Sequence, residues 1–455
     1  MRIAIIGGLA AGPAAAAELA REAPDAEVVL FEATPHVSVG ACEMPYYVAG
    51  RLSGPGDLIV NTPEELARKK GITVHTEHRV TALDPRAGTL TVEATRYGVA
   101  RTERFDRFVL ATGARARRLG VPGEEGPGVL HMRHYADAVA ARRWFVGGDV
   151  RHVVVVGGGY VGLEMAEAAR DAGLRASILD PSGRVLSRSL HPDMGAQLDR
   201  AVRARGVAVR ADTATEILRD ADGRPRAVRT EAGELVGGQA VVVAVGTEPR
   251  AALAEAAGLR LTDGGAVWTD DEMRTSSRRV WACGDCTEVE RVGDGRRMEW
   301  PLAPVGRRTA RVAARNCAHG GGADRFRGFV GAVAVKAFGI EAASVGLDEG
   351  AAREAGLDPV AVQIRHTTRT AVYPGTQPID VRLVVARADG RVLGGQLVAP
   401  EGAALRADVL VPMIRAGQTA QDLAEDMDLV YNPPVAPALD PLKVAAAAAL
   451  RALSG

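Results

Sequence analysis

The sequence predicts an α/β chain in which one parallel-sheet unit is inserted into another and an α+β domain follows. Three observations predict it. Two glycine-rich turns, Gly7–Gly12 and Gly157–Gly162, each follow a short apolar run and lead into a helical segment. Two further apolar runs, Phe108–Leu110 and Val241–Val245, end in glycine turns at Gly113 and Gly246 and bracket the second unit. From about Phe326 these turns stop, and apolar and polar residues alternate across Ile379–Val385 as in a half-buried strand. The expected boundaries are 1–115 and 246–325 for the outer unit, 116–245 for the inserted one and 326–455 for the last. A chain of 455 residues is about two to four times one domain, so several cores are expected.

In the first unit, Ile3-Ala4-Ile5-Ile6 reads as a buried parallel strand, Gly7, Gly8 and Gly12 form the turn, and an Ala-rich helix runs to about Arg21. A second strand, Glu27–Phe31, ends at Glu32, near the ~20-residue spacing at which an acid meets a ribose hydroxyl in dinucleotide-binding folds. Leu9 takes the place of the middle glycine of GxGxxG. The second unit keeps all three glycines, Gly157, Gly159 and Gly162, around Tyr160 and Val161. They permit the tight turn, close backbone approach to a pyrophosphate and close helix packing, while the helix N-terminus offers free N–H groups. Its second strand ends at Asp180, which favours NADH; Arg184 nearby leaves NADPH open. Two such units in one chain are expected to be Rossmann-like.

Net charge is zero, with 25% charged and 47% apolar residues, so no electrostatic bias favours nucleic acid or anionic membrane. No apolar run approaches the ~18 residues of a membrane span, and the start of the chain has no signal-peptide pattern; a cytoplasmic location is expected. The Ala-rich stretch Ala445–Ala449 is read as compositional bias.

Four cysteines do not make a disulfide framework. Cys283 and Cys286 form a CxxC, but no second CxxC or histidine cluster completes a metal site, and Gly284-Asp285 between them reads as a turn at a strand end. Cys317 lies in a helical Ala/Arg stretch and reads as a packing residue. Cys42 follows Glu32 by ten residues, in a Gly- and Ser-marked turn into a helix, where the helix dipole favours thiolate; Glu43 opposes this, and a packed thiol explains the residue equally well.

Together these residues resemble the pyridine nucleotide-disulfide oxidoreductases, and within them the single-cysteine branch of coenzyme A-disulfide reductases, NADH oxidases and NADH peroxidases. The resemblance is carried by Gly7–Gly12, Ser38 with Cys42, Ala111-Thr112-Gly113, Gly157–Gly162 with Glu164, Cys283-Gly284-Asp285, Pro301-Leu302-Ala303, Tyr373-Pro374-Gly375, Tyr431-Asn432-Pro433-Pro434 and Asp440-Pro441. It implies FAD held by Gly7, Gly8, Gly12, Glu32, Val80, Ala111, Thr112, Gly113, Asp285 and Ala303. It implies NADH or NADPH held by Gly157, Gly159, Tyr160, Val161, Gly162, Glu164, Asp180 and Gly246. Cys42 is then the redox thiol, and a homodimer with shared active sites brings Tyr431 and Tyr373 to it from the other subunit; the bland reading is that both tyrosines pack in a dimer core. Ala10 replaces the histidine of the peroxide and oxygen reducers, and no second cysteine follows Cys42, so the resemblance implies a mixed disulfide with a small thiol, or a sulfenic acid. Ser38, Arg21, Lys69 and Arg307 are candidate contacts for a coenzyme A-like disulfide, although solvated charged faces explain the basic residues as well. Glu18 would repel phosphate, and Ala41 and Leu439 depart from the coenzyme A pattern. The expected activity is FAD-dependent NAD(P)H:disulfide reduction, with polysulfide, persulfide or oxygen as alternative acceptors and a flavin-binding regulatory protein as the reading from another class.

Overall fold

The computed structural model describes residues 1–454. The first sheet has five parallel strands in the order Val280–Ala282, Arg107–Leu110, Arg2–Ile6, Glu27–Phe31, Thr73–His75. Strands from the beginning of the chain and from residues 280–282 therefore share one sheet, although a second sheet intervenes in sequence. Apolar residues alternate between its two faces: Ile3, Ile5, Leu30 and Val109 face one core, and Ala4, Ile6, Val29, Phe31 and Phe108 face another. Burial on both faces is why these strands read as continuous apolar runs.

The inserted unit repeats the plan with Ala208–Ala211, Arg175–Asp180, His152–Val156, Ala240–Val243 and Val129–Leu130, again all parallel. The chain enters and leaves it through a two-stranded antiparallel ribbon, Ala114–Ala116 against Thr247–Pro249. Each parallel unit also carries a three-stranded antiparallel meander, His78–Arg104 in the first and Ala214–Gly237 in the second. In the last domain a five-stranded antiparallel sheet packs against the terminal helix Pro441–Ser454.

Ala-rich segments matter here. Ala15, Ala16 and Leu19 of the helix Ala11–Glu22 share a core with Ala310, Ala313 and Ala314 of the helix Ala303–His319, and Ala445, Ala446 and Ala449 have no accessible surface in the third core. Read from sequence as compositional bias, the terminal alanines are packing residues whose small side chains let the helix lie close to the sheet. No helix among the described residues is long and apolar enough to cross a membrane.

Candidate active site

Two glycine turns frame the site. A Cβ at Gly7 would overlap the Ala111 carbonyl oxygen, and one at Gly12 or Gly162 would overlap the carbonyl oxygen of Gly7 or Gly157, so these positions are fixed by backbone packing. Gly159 is different: a Cβ there meets nothing within 4 Å, and its φ of −73° suits any residue. Its lack of a side chain leaves open space at the first turn of the helix Tyr160–Asp171, which suits a phosphate approaching free N–H groups. Glu32 and Asp180 stand at equivalent places. Glu32 accepts the Gly8 and Thr34 N–H groups at 2.7 Å each, and Asp180 accepts Gly158 N–H at 2.9 Å and Ser182 N–H at 3.0 Å. Burial works to raise the Asp180 carboxyl, but the Ser182 and Gly158 hydrogen bonds outweigh it and hold the group below its ordinary value.

The turn Gly284–Cys286 is fixed by Gly284 N–H to Thr309 Oγ1 at 3.0 Å, and Asp285 forms an ion pair with Arg133. Arg133 also donates to the Ala114 carbonyl at 3.0 Å. Arg250 is pushed below its ordinary value by burial and by the nearby charges of Arg133 and Arg79, with Glu32 opposing. Crowded cations of this kind favour an anion among them. Sequence reading missed Arg133, Arg250 and Arg79; their convergence beside the first turn suits a pyrophosphate. Val80 lies in the strand His78–Asp84, part-packed on the same core as Ile6 and Phe31. Ala303 opens the helix Ala303–His319, whose first turn carries no acidic residue and no side-chain cap. A cavity of about 390 Å³ lies beside the first turn, between Leu9, Thr34 and His36 on one side and Tyr135, Val139 and Arg143 on the other.

The segment bearing Cys42 is tied to the first turn: buried Ser38, at φ 51°, donates its N–H to the Gly8 carbonyl at 2.8 Å. Cys42 lies in the short 3₁₀ turn Ala41–Glu43, and the five-residue helix Met44–Val48 follows. Met44 and Val48 anchor that helix in the core formed by Leu163, Met165 and Ala166 of the helix Tyr160–Asp171. Cys42 is exposed, whereas Cys283, Cys286 and Cys317 are buried. Cys283 and Cys286 belong to the cores on opposite faces of the first sheet, which removes the dithiol reading.

The expectation that a helix dipole favours the Cys42 thiolate is corrected by the structure. The residue is exposed, but neighbouring atoms partly desolvate the thiol, and Glu43, Glu164 and Asp285 add repulsion, so its value is raised, with Arg133 opposing them. A helix of one turn also has little dipole to offer. Tyr46, four residues beyond Cys42, donates to Glu164 Oε1 at 3.1 Å. Burial pushes the Glu164 carboxyl up to about 7 and the Tyr46 phenol up to about 12. One turn along, Glu167 accepts the Phe338 N–H at 2.6 Å and pairs with Arg51 at 2.9 Å, which joins segments of all three units at the helix Tyr160–Asp171. Burial also raises the Tyr160 phenol, with a Ser189 hydrogen bond opposing; Val161 is exposed and Gly246 has open space around it.

Tyr373 and Tyr431 lie on neighbouring exposed loops of the last domain, joined by Thr370 N–H to the Pro433 carbonyl at 3.3 Å. Of the basic candidates, Lys69 pairs with Glu65 in its own helix at 3.1 Å, and Arg307 is exposed. Glu18 is buried between Arg21 and Arg315, the latter at 2.7 Å. The expected repulsion of phosphate by Glu18 is therefore offset by its two cations.

A family model described as pyridine nucleotide-disulphide oxidoreductase matches residues 1–310, and the dimerisation domain of the same description matches residues 333–442. A curated NAD(P)H coenzyme A polysulfide/persulfide reductase from Pyrococcus horikoshii is 36% identical over 445 residues, 98% of this chain and 97% of its own. A coenzyme A disulfide reductase from Staphylococcus aureus is 26% identical over 433 residues, 95% of this chain and 96% of its own. The solved structure of an NAD-dependent persulfide reductase from A. fulgidus superimposes with a TM-score of 0.95 at 33% identity, covering 100% of this chain and 84% of that one.

Proposed function

Because the chain belongs to the pyridine nucleotide-disulphide oxidoreductase family, we propose that it uses NAD(P)H and FAD to reduce a small-molecule sulfur substrate through Cys42. The observation that carries this reading is that Cys42 alone of the four thiols is exposed, on a segment hydrogen-bonded to both glycine-turn units, through Ser38 on one side and Tyr46 on the other.

The residues present fit both nucleotides. Gly7, Gly8, Gly12, Glu32, Val80, Ala111–Gly113, Asp285 and Ala303, with Arg133 and Arg250 as counter-charges, would hold FAD; Gly157–Gly162, Glu164, Asp180 and Gly246 would hold NAD(P)H. FAD, when bound, supplies transfer of a hydride's two electrons from nicotinamide to sulfur. The chain supplies the rest. Cys42 thiolate attacks one sulfur of the disulfide, the S–S bond breaks, and the other sulfur leaves as a thiolate that takes a proton from Tyr431 or Tyr373. Two electrons and one proton then release the second thiol and restore the Cys42 thiolate. Half-buried Glu164, held by Tyr46, titrates near neutral pH beside this centre and would hold the carboxamide end of a nicotinamide.

Val372, Leu405, Val430, Val435 and Leu439 are all more than half exposed beside the two tyrosines, which supports a homodimer closing over this face and carrying the tyrosines to the partner's thiol. Persulfide or polysulfide as acceptor is favoured over oxygen by the names of the Pyrococcus horikoshii and A. fulgidus relatives and by Ala10, which offers no proton for a departing hydroxide.

Cys42→Ser tests the reading. NADH should still bleach bound FAD, while disulfide-dependent NADH oxidation is lost, because a serine hydroxyl is neither ionised at neutral pH nor able to form a mixed disulfide. Cys283→Ser and Cys286→Ser should keep turnover. Full turnover by Cys42→Ser would overturn the assignment.

A further inference from the structure

Neither loop bearing a candidate tyrosine contains a helix or strand at that residue, yet one side chain ties both. Arg406, half-buried in the short helix Ala403–Ala407, donates from Nε to Asp440 Oδ2 at 3.0 Å. Its terminal nitrogen donates to the Thr368 carbonyl at 2.7 Å and to the Val435 carbonyl at 3.2 Å. Thr368 opens the loop that carries Tyr373, Val435 follows Tyr431 by four residues, and Asp440 caps the terminal helix through Leu442 N–H at 2.9 Å. One guanidinium thus links the three segments that shape this face.

The fixing is of backbone only. Val372 is 91% exposed and Val430 90%, and both tyrosines stand open beside them. The loops are held in place with their side chains free, as expected of a preformed surface that completes a site elsewhere. A lysine could not reproduce the clamp, since only the planar guanidinium directs donors to a carboxylate and two carbonyls together.

From this geometry we propose that Arg406 is a positioning residue for disulfide reduction: it sets the placement of Tyr373 and Tyr431 against Cys42 of the second copy and has no part in hydride transfer from NAD(P)H. The proposal rests on the reading above, in which the tyrosines serve the partner's thiol. It predicts a split between the half-reactions, because Arg406 holds only the last domain and touches neither glycine turn.

The test uses full-length FAD-loaded protein, with coenzyme A disulfide as the probe. Arg406→Met keeps much of the side-chain volume and removes every donor; Arg406→Lys keeps the charge. Flavin reduction by NADH in stopped flow should stay within about twofold of wild type, while kcat for the disulfide falls by about tenfold in Arg406→Met and by less in Arg406→Lys. If Arg406 acts through Tyr431, the double variant Arg406→Met/Tyr431→Phe should be no slower than the slower single variant. Light scattering on each variant establishes that the dimer persists. A wild-type kcat in Arg406→Met, losses that multiply in the double variant, or an equal loss of flavin reduction would each overturn the proposal. Should Arg406→Met not fold, Arg406→Lys and Asp440→Asn carry the same comparison. Retained turnover in Cys42→Ser would sink the functional reading itself, whereas loss there with normal rates in the Arg406 variants sinks only the positioning role.

Discussion

Replacing Glu164 with Gln probes the electrostatics where the thiol segment meets the nucleotide helix. Burial raises this carboxyl from 4.5 to about 7, with the Tyr46 hydrogen bond and Arg51 opposing and Glu167 reinforcing. Moving an acid that far corresponds to up to about 3 kcal/mol, at ~1.4 kcal/mol per tenfold change in proton affinity. The sign follows from the raised value. Between pH 4.5 and about 7 the folded chain holds more proton at this site than the unfolded chain, so stability falls as pH rises through that window. Below it both states are protonated and the cost vanishes; above it the cost is complete. Gln keeps an oxygen for the Tyr46 hydroxyl and carries no charge, so the flavin-free variant should be more stable than wild type by up to about 3 kcal/mol near pH 8 and nearly equal to it at the acid end. Urea unfolding of both proteins at the two ends of the window measures the difference. Glu164 also helps raise the Cys42 thiol, so the pH profile of Cys42 alkylation should move to lower pH in the variant. A gain of the same size at both ends, or a loss near pH 8, would refute the reasoning.

Further outcomes are expected from the same geometry. Gly159→Ala should fold like wild type, since its Cβ meets nothing within 4 Å, yet raise the KM for NADH if, as proposed, the pyrophosphate approaches there; Gly162→Ala should misfold the turn, because its Cβ overlaps the Gly157 carbonyl oxygen. Circular dichroism and NADH titration separate the two, and unchanged NADH binding in Gly159→Ala would place the dinucleotide elsewhere. NADH should reduce the flavin faster than NADPH, because the Asp180 carboxylate repels a 2′-phosphate; a several-fold preference for NADPH would show that Arg184 outweighs it. The purified protein should be yellow with about one FAD per chain, and a colourless protein that refuses FAD on reconstitution would contradict the site.

What the sequence made legible was what backbone chemistry writes into residue identity. Glycine turns, the acids closing the second strands and the paired apolar runs were readable because only glycine tolerates those carbonyl contacts and only two-sided burial produces unbroken apolar strands. Side-chain convergence over long separations was not. Arg133 meets Asp285 across 152 positions, Tyr46 meets Glu164 across 118, and Arg315 meets Glu18 across 297. Arg133, Tyr46 and Arg315 each look ordinary in their local windows. Local reasoning named Glu43 as opposing the Cys42 thiolate but could not see Glu164 and Asp285, which raise it further from other segments. The terminal alanines were discounted for a similar reason: their information is the volume they leave to a facing strand.

The joint at Glu167 bears on motion. The nucleotide helix is held to the last domain by the Phe338 N–H and to the thiol segment through Arg51, while Gln396 of the last domain accepts the His191 N–H at 2.8 Å and donates to the Ser189 carbonyl at 3.2 Å. Enzymes that close one domain over another need a hinge and an interface that parts. Here the hinge position, the Ala114–Ala116 and Thr247–Pro249 ribbon, is itself hydrogen-bonded, and the opposite side of the inserted unit is bolted to its neighbour. A chain joined in this way leaves little freedom for one unit to swing against another, so the spacing between the two glycine turns is expected to stay nearly constant during turnover.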